Sequence, residues 1–546
     1  MLWIALHPPA LSLEAFCATL PAAPQGQAIA LMAAHRITAA NEEALRRGVQ
    51  PGLKRATALA LVGDLLLGQA DATRDAQALQ ALAHAALAFT PSVTIEGANA
   101  TSTATNPTTS IDTNIITNAG HATVLLEVQS SLRYFGGLPT LLRRLRDVLA
   151  PLGHQLRIAS APTALGAATL ARWRDGYAEG AHSTQLKALH SQLDSAPLWL
   201  LDPARAHGEA LQGMGLHTWS DLRQLPRAGL ARRFGDSLLD ALDRARGERP
   251  DPRAWLVCPP TFQSRLELFA RADSTAQVLH GASVLLARLV AWARAQRSRV
   301  MAFVLAMRHE HAGPPQERIP ECAARRYTSE PHRRAAAPPA TELRIELAVP
   351  SDDAGHLQAL LRERLAGCEL AAPTLELRLY CQQLAQSEAP NGELFATRLN
   401  QSEGFVRLIE RLRARLGDAQ VQWLQPLQDH RPEWAGRLQS AAGSEVALNV
   451  STPPPHRPMW LLPDAQVLPE RGALPLLAGR PLQLLSGPER IEAGWWDHSG
   501  PGAGLATRDY FIAQAADGAL VWIYRMRLPP DVATRHEGWF LHGRFG

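Results

Sequence analysis

Two glycines in a compact, helix-rich stretch offer the clearest chemistry in this sequence. Gly213 and Gly215 flank Met214 between two short helical patterns within residues 205–250. A short helix, a glycine-bearing hairpin and a second helix form a helix-hairpin-helix, whose hairpin amides can hold a nucleic-acid phosphate without reading base sequence. A plain turn inside a helical bundle would have the same pattern, so the motif alone leaves both interpretations open.

The five cysteines do not predict a metal site. Cys17, Cys258, Cys322, Cys368 and Cys381 are scattered, and no pair has the spacing of a zinc ribbon. An odd, sparse set is typical of reduced thiols, so we expect a cytoplasmic protein. The N-terminus lacks the basic region of a signal peptide, and no run of 18 apolar residues predicts a membrane span.

Length and composition indicate a large globular protein of several domains. The chain has 546 residues, of which 46% are hydrophobic and 19% charged, and about three or four domains are expected at this length. The 55 basic and 51 acidic residues give a net charge of +4, which does not by itself require a nucleic-acid partner. Lys54 and Lys187 are the only lysines. The excess of arginine suits phosphate contacts, although a GC-rich genome would also produce it.

The elements that must position these residues begin with a mixture of strands and helices. Strands are predicted at residues 2–6, 93–96, 122–128 and 155–159. Helices are predicted at residues 12–20, 39–47, 56–62, 75–89, 139–152 and 163–173. Residues 98–120 are rich in Thr, Asn, Ser and Ala, and predict a solvent-exposed insertion within a hairpin because they cannot bury a core.

A second group of elements has the split βαβ pattern. Strand, helix, strand, strand, helix and strand are predicted at residues 262–269, 274–295, 300–308, 342–348, 352–365 and 374–381. An amphipathic helix at residues 400–416 follows, and a small antiparallel meander with an Asp517-Gly518 turn ends the chain. Seven of the 13 tryptophans lie from Trp423 onward, which fits a small aromatic core or a partner-binding module.

The order of these elements and several local strings resemble the Y-family translesion DNA polymerases. The strings are AANEEALRRGVQPGLKRATALA, LRIASAPTALGAATLARW and the hairpin region at residues 214–235. The resemblance covers about residues 1–385 and implies an α+β multidomain fold. It implies a palm and fingers at residues 1–200, a helix-hairpin-helix thumb at 201–253 and a βαββαβ little finger at 254–384. Residues 385–425 would then form a linker with an amphipathic helix, and residues 426–546 a small β-rich C-terminal region that binds partners.

The resemblance also implies where polymerase chemistry would be placed. In the family, a DxD pair and an Asp-Glu pair hold two Mg²⁺ ions for phosphoryl transfer. Those positions correspond here to Ala5 and His7 on the first strand, and to Ala122 and Thr123 on the later hairpin. A methyl group cannot ligate Mg²⁺, and histidine is a poor ligand for so hard a cation. The expectation is therefore a protein without polymerase activity that holds no metal and no other cofactor.

The family's nucleotide-binding positions are changed as well. The Tyr and Arg that hold the triphosphate correspond to Glu42 and Leu45, and a lysine corresponds to Gly166. An active polymerase would need carboxylates in displaced positions, and this is the alternative interpretation. The candidates for that role are Glu14, Glu96, Asp112 and Glu127.

Further strings resemble a catalytically inactive branch of the family from bacterial mutasome cassettes. They are MLWIALHPPALSLEAF at the start, SLRYFGG, DHRPE, RPMWLL, GPERIEAGWW and WFLHG. Such proteins act in SOS-induced translesion synthesis and mutagenesis. The resemblance implies three protein partners: the β sliding clamp, a RecA-like protein and an error-prone C-family DNA polymerase.

A clamp-binding peptide is expected after the little finger. Asn391, Leu394 and Phe395 lie there, with Leu394 and Phe395 as adjacent apolar anchors. Asn391 stands where the motif usually has Gln, and a linker with two incidental apolar residues is the alternative. The segment QLL from Gln483 is a weaker candidate because it lies against a predicted strand.

Sequence-neutral DNA binding would depend on contacts to the phosphate backbone. The candidate residues are Gly213, Gly215, Arg232, Arg233, Arg297 and Arg299. Each such arginine is more often a solvated surface residue, and a patch of them would bind DNA with an affinity that falls with salt. The sequence as a whole predicts a cytoplasmic, nucleoid-associated adaptor without polymerase activity.

Overall fold

The computed structural model describes ten segments of the chain: residues 1–21, 26–97, 122–310, 340–370, 372–386, 398–427, 429–440, 457–496, 506–527 and 538–546. They form two units, Met1–Arg415 and Leu416–Gly546. The predicted insertion at residues 98–120 lies outside the described segments, as do Asn391, Leu394 and Phe395. The finer division into five regions stays a prediction.

The first 200 residues mix short strands with helices, as predicted. The elements are β1 (Trp3–His7), α1 (Leu11–Cys17), β2 (Ile29–Ala33), β3 (Arg36–Ala40), α2 (Glu42–Arg46), α3 (Arg55–Leu61), β4 (Leu66–Gln69), α4 (Ala72–Leu87), β5 (Val93–Glu96), β6 (Thr123–Glu127), α5 (Leu132–Phe135), α6 (Leu138–Leu149), β7 (Arg157–Ala161), α7 (Ala164–Trp173) and α8 (Leu186–Asp194). Four of the strands form the palm-like sheet, in the antiparallel order β5-β6-β1-β7.

Helices cover both faces of the palm-like sheet. One face packs with α4 and α6 in a core that includes Leu6, Val124 and Leu142. The opposite face carries Ala5 and Leu125, which belong to a second core with α7 and α8. Because both faces are covered, all five residues of β1 are buried, and the four before His7 form a continuous apolar run instead of an alternating one.

The fingers-like part contains a small sheet that the sequence reasoning missed. Its order is β3-β2-β4, with β2 and β3 antiparallel and β2 and β4 parallel. The helix predicted at residues 39–47 was therefore wrong at its start, where β3 runs to Ala40. Asn41 separates the two elements, because its side chain accepts hydrogen bonds from the amides of Ala44, at the start of α2, and of Ile29 in β2.

The predicted helical thumb is a set of five short helices. They are α9 (Asp202–Arg205), α10 (Gly208–Gly213), α11 (Trp219–Arg223), α12 (Arg227–Phe234) and α13 (Asp236–Arg246). Thr218 and Asp221 form a capping box at the start of α11. Trp219 beside the cap is fully buried and joins the core under Ala5, so this bundle packs on the palm-like sheet.

The predicted βαββαβ pattern is confirmed for the little-finger-like part. It comprises β8 (Phe262–Ala272), α14 (Thr275–Ala295), β9 (Ser298–His309), β10 (Ala340–Ser351), α15 (Ala354–Ala366) and β11 (Thr374–Gln386). The strand order is β10-β9-β11-β8. Helix α14 is long and apolar enough to cross a membrane, but 61% of its most apolar window is buried in the fold, as expected of a core helix. Arg288 of α14 donates to Gln77 of α4 at 3.1 Å, which ties this part to the palm-like part.

Helix α16 (Arg398–Leu416) leads into the second unit, which is built from strands. These are β12 (Gln422–Pro426), β13 (Gly436–Ser440), β14 (Trp460–Leu468), β15 (Glu470–Arg471), β16 (Leu474–Leu477), β17 (Arg480–Pro481), β18 (Gln483–Ala493), β19 (Ala506–Gln514), β20 (Leu520–Met526) and β21 (Trp539–Arg544). The main sheet has the order β14-β21-β20-β19-β18, with the predicted Asp517-Gly518 turn between β19 and β20. The meander is confirmed, and β14 and β21 extend it beyond the prediction.

Candidate functional site

One row of side chains crosses the palm-like sheet where the polymerase positions are expected. Glu96 of β5 pairs with Thr123 of β6, and His7 of β1 pairs with Arg157 of β7. His7 follows the Leu6–Val124 pair, so it lies beside Thr123, and its Nδ1 donates to the carbonyl of Ala122 at 3.2 Å. We call Glu96, Thr123, His7 and Arg157 the palm row. The register thus brings together three of the four selected positions, His7, Ala122 and Thr123, while Ala5 lies two residues along β1 and pairs with Leu125.

The selected positions are closed to solvent. Ala5 and Thr123 are fully buried, and His7 and Ala122 are each 4% exposed. Ala5 packs with Leu125 and Ala159. A carboxylate here would be buried, and it would need a bound cation or several hydrogen bonds to remain ionised.

A buried guanidinium lies beside the palm row. Arg172 of α7 donates from Nε to Oγ1 of Thr123 at 3.2 Å. Its Nη1 lies 3.5 Å from Oδ1 of Asp202, and its side chain is only 3% exposed. A positive charge in this position repels a divalent cation, and the repulsion grows as water is excluded. Sequence reasoning missed Arg172 because its partner lies 49 residues away on another element.

Glu96 is the one displaced-carboxylate candidate in the palm row, and its side chain is already paired with an arginine. Its side chain forms an ion pair with Arg253, which also pairs with Asp251 at 2.6 Å. Burial alone would lower the pKa of Arg253, but Glu96 and Asp251 together raise the pKa above its ordinary value. Glu96 is therefore held as the counter-ion of a permanent cation.

The other displaced carboxylates lie away from the palm row. Glu14 on α1 accepts hydrogen bonds at 3.2 Å from His154 and from the amide of Gln155. Glu127 lies at the other end of β6, opposite Trp3. Asp112 lies outside the described segments. Glu96 is thus the only one of the three described candidates next to Thr123.

A cavity of about 390 Å³ adjoins the palm row between α7, α9 and α13. Its acidic lining residues are Glu96, Asp202 and Asp240. Each of them forms an ion pair with an arginine: Arg253, Arg205 and Arg249 respectively. Across the described segments, no group of three or more His, Cys, Asp or Glu side chains is arranged to hold a metal ion. A metal entering this cavity would have to displace guanidinium groups from all three acids.

The three nucleotide positions do not converge on a phosphate site. Glu42 is exposed at the start of α2 and pairs with Arg46 at 3.9 Å, and Leu45 is 44% exposed. Gly166 is buried in α7, where a β-carbon would lie 3.0 Å from the carbonyl oxygen of Ala245 in α13. The position of the family's lysine is therefore filled by a neighbouring helix.

The hairpin glycines form a helix end. Gly213 ends α10, and Gly215 has a φ of +75°, which favours glycine. The amides of Met214, Gly215 and Leu216 all donate to carbonyls of α10. These three amides already have acceptors within the fold. The contact of Gly213 and Gly215 with DNA stays a prediction, and it would need other hydrogen-bond donors.

The four candidate arginines differ in exposure and pairing. Arg232 and Arg233 are exposed in the last turn of α12 and make no ion pair with any described residue. Arg297 is exposed at a left-handed position after α14. Arg299 lies 3.9 Å from Asp352 and is partly buried. The first three remain available for an external anion, while Arg299 already has a carboxylate partner.

The alternative clamp segment lies on a strand. Gln483 begins β18 and pairs with Gln514 of β19, and Leu484 pairs with Ala513. Leu484 and Leu485 are 38% and 50% exposed. Because its backbone is hydrogen-bonded in the sheet, this segment would have to leave β19 to bind as a free peptide.

Several C-terminal strings meet in one polar cluster of the second unit. Arg508 bonds Glu433 of the DHRPE string at 2.9 Å and Oη of Tyr510 at 3.1 Å. The hydroxyl of Tyr510 and Nδ1 of His542, in the WFLHG string, form a hydrogen bond of 2.8 Å, and burial lowers the pKa of His542 to about 4. These polar residues hold the sheet together. Met459, Trp460, Leu461, Trp495 and Trp496 of these strings are exposed, so they are accessible to a partner.

Comparison with known proteins gives relatives that span the chain. No family model matches. Two curated proteins named ImuB, from Caulobacter vibrioides strains NA1000 / CB15N and ATCC 19089 / CIP 103742 / CB 15, are each 28% identical to it over 524 residues. Each match covers 91% of this chain and 100% of the relative.

Solved structures similar to the chain are Y-family polymerases. A Dbh ternary complex is 12% identical, covers 70% of this chain and 98% of its own, and has a TM-score of 0.35. DinB from Sulfolobus solfataricus is also 12% identical, covers 70% and 98%, and has a TM-score of 0.34. Over 91% of its length, this chain is therefore similar to the Caulobacter proteins named ImuB.

Proposed function

We propose that this chain is a non-catalytic, polymerase-like adaptor in SOS-induced translesion DNA synthesis and mutagenesis. It binds DNA by the backbone, binds the β sliding clamp, and recruits an error-prone C-family DNA polymerase together with ImuA, a RecA-like protein. The adaptor works in the cytoplasm, at the nucleoid. The similarity to proteins named ImuB supports this assignment.

The single observation that carries the non-catalytic part is the buried Arg172 beside Thr123. Phosphoryl transfer needs carboxylates that hold metal ions against the reacting phosphate. Here Ala5, Ala122 and Thr123 supply none, and a guanidinium already provides the positive charge.

An active polymerase that uses displaced carboxylates is the second candidate function, because Glu96 lies next to Thr123 in the palm row. Its ion pair with Arg253 argues against this candidate. Activity would require Arg253 to leave a buried site and to expose two carboxylates to a metal, at a cost of several kcal/mol (roughly 3 or more).

Primer extension with the purified chain tests the non-catalytic role. We expect no template-dependent synthesis with Mg²⁺ or Mn²⁺. The triple variant Ala5→Asp/Ala122→Asp/Thr123→Glu should also be inactive, because Arg172 would pair with the new carboxylate at position 123. Synthesis by the wild type that is lost in Glu96→Gln but kept in Glu127→Gln would establish the second candidate instead.

Binding to a purified β clamp tests the adaptor role separately from catalysis. We expect Leu394→Ala/Phe395→Ala to abolish binding, since adjacent apolar anchors fill one pocket. The matched double variant Leu484→Ala/Leu485→Ala removes similar side chains from β18 and should bind as the wild type does. The reverse pattern would move the contact to β18, and a wild type that does not bind would remove the clamp from the proposal.

A further inference from the structure

A two-residue turn at the tip of the fingers-like sheet has an unfavourable backbone. Ala34 and His35 join β2 to β3, with φ values of +47° and +62°. Positive φ at both positions matches the hairpin turn that normally uses Asn-Gly. A histidine in this region is strained, and such strain is concentrated at binding sites. The sequence therefore accepts a cost at this turn.

The same turn brings four basic residues close together. Arg36 and Lys54 are direct partners in an isolated antiparallel bridge, and the amide of Arg55 donates to the carbonyl of His35 at 3.1 Å. Like charges directly opposite each other destabilise a strand pair. We call His35, Arg36, Lys54 and Arg55 the fingertip patch.

No described acidic residue neutralises the fingertip patch. All four side chains are exposed, and none forms an ion pair within the segments that the structure describes. The acids nearby in sequence are used elsewhere: Asp64 pairs with Arg47 at 2.5 Å, and Glu43 pairs with Arg46 at 2.6 Å. An external anion would therefore relieve a repulsion that the fold leaves in place.

The patch surrounds an open cavity of about 490 Å³ with an apolar floor. Its lining consists of Ala34, Ala56 and Leu59, which we call the floor, and of the four basic residues, which we call the rim. Single-stranded nucleic acid offers both matching parts: phosphates for the rim, and an unstacked base or sugar for the floor. Duplex DNA keeps its bases stacked, so it offers phosphates without an unstacked base, and in a single strand the phosphate and the base belong to the same repeating unit.

We propose that the fingertip patch binds single-stranded DNA, with its rim on the phosphates and its floor against a base or sugar. The inference deepens the proposed function, since it rests on the chain being a DNA-binding adaptor. It places a DNA contact on the fingers-like turn, away from the glycines and arginines selected from the sequence. The contact is independent of base sequence because no directional base-reading group lines the floor.

Fluorescence anisotropy with labelled oligothymidylate of about 16 nucleotides and the full chain tests the proposal. The variant is Lys54→Gln/Arg55→Gln. The matched control is Arg143→Gln/Arg146→Gln, which removes two exposed, unpaired charges from α6 within the described part of the chain. Both variants lower the net charge equally, so any difference reports position.

We expect the fingertip variant to reduce the slope of log affinity against log salt by about 1.4, at about 0.7 per phosphate contact on a single strand. Between about 50 and 200 mM salt, the wild type should then lose about sevenfold more affinity than the variant. The control should keep the wild-type slope. Thermal unfolding should show no loss of stability in Lys54→Gln, because the substitution removes a repulsion.

Four results would overturn the inference. If the fingertip variant keeps the wild-type slope, or if the control loses as much, the patch is wrong while DNA binding by the chain stands. If polyglutamate of equal charge competes as well as the oligonucleotide, the surface suits an acidic protein segment instead. If the wild type binds no single strand, the inference fails together with the DNA part of the proposed function, and the clamp experiment still tests the remainder.

Discussion

The palm row and the fingertip patch differ in whether their positively charged side chains are paired with carboxylates. Arg172 and Arg253 are almost fully buried and point to carboxylates on other elements. Arg36 and Lys54 are exposed and lie opposite each other in an isolated backbone bridge, with a guanidinium nitrogen of Arg36 donating to the carbonyl of Gly52. The arginines at the palm row are thus paired within the fold, whereas the like charges at the fingertip patch repel one another.

This difference separates charge that is paired within the fold from charge that is left unpaired on an exposed surface. Ala5, Ala122 and Thr123 are buried, and the arginines beside this part of the sheet are paired with carboxylates. A surface that is still used for binding keeps its unfavourable groups, because pairing them internally would remove the binding energy. Unrelieved strain and repulsion are therefore better markers of use here than resemblance to a catalytic site.

The largest expected effect comes from breaking the ion pairs of the palm row. Arg253→Ala leaves Glu96 and Asp251, whose side chains are 20% and 15% exposed, without their cation. We expect a loss of about 3 kcal/mol in the free energy of unfolding by urea denaturation. Arg232→Ala, which removes an exposed arginine, should change it by less than about 0.5 kcal/mol. Equal effects of the two variants would mean that the palm row is not held by its ion pairs.

Acid should weaken the palm-like part through a group that has no charged partner. Burial lowers the pKa of His84 on α4 to about 4, below its ordinary value of 6.5. The unfolded chain then takes up a proton before the folded chain does, so stability is full above pH 6.5 and falls as the pH decreases toward 4.

The loss attributable to His84 should reach about 2 kcal/mol at pH 5. His84→Gln keeps a polar side chain of similar size and removes the titration. Urea denaturation at pH 7 and pH 5 should therefore show a smaller pH dependence in the variant. A variant with the wild-type pH dependence would assign the acid sensitivity to other groups.

The elements of the fold could be predicted well where local signals agree. The helix at residues 274–295 has a Ser274 cap and a long apolar pattern, and α14 is observed at Thr275–Ala295. The start of the helix predicted at residues 39–47 was wrong because Ala39 and Ala40 favour a helix locally, while pairing with β2 decides their conformation. Short strands whose stability comes from a partner give little signal of their own.

The candidate site was predictable in position but not in chemistry. Aligning two strings selected Ala5, His7, Ala122 and Thr123, and the structure places His7 against Ala122 while Ala5 pairs with Leu125. Arg253 meets Glu96 across 157 residues, and no local pattern indicates such a pair. Lys54 meets Arg36 only through an isolated bridge. Contacts of this kind depend on tertiary packing, which one sequence without a structure does not reveal.

Two separate glycine substitutions test whether the predicted nucleotide position at Gly166 is closed by packing. Gly166→Ala would push a β-carbon against the carbonyl of Ala245 and the side chain of Thr163, so we expect a loss of about 2 kcal/mol in unfolding free energy. Gly229 in α12 has open space around it, and Gly229→Ala should instead gain about 0.5–1 kcal/mol from helix propensity. Opposite signs in thermal or urea unfolding would confirm a packed palm-like site. A neutral Gly166→Ala would indicate that α13 can move away and reopen it.

The smallest expected effect tests whether strain at the fingertip patch is kept for binding. His35→Gly should raise the free energy of unfolding by about 1 kcal/mol, because glycine adopts the positive φ of +62° without strain. Ala473→Gly is the matched control, since Ala473 has a φ of +66° in the turn between β15 and β16. Both variants should be stabilised in urea, but only His35→Gly should bind single-stranded DNA more weakly, by a few fold, because it removes one group from the rim. If both variants gain stability and both keep the wild-type DNA affinity, the strained turn has no part in binding. The fingertip patch would then rest on its charges alone.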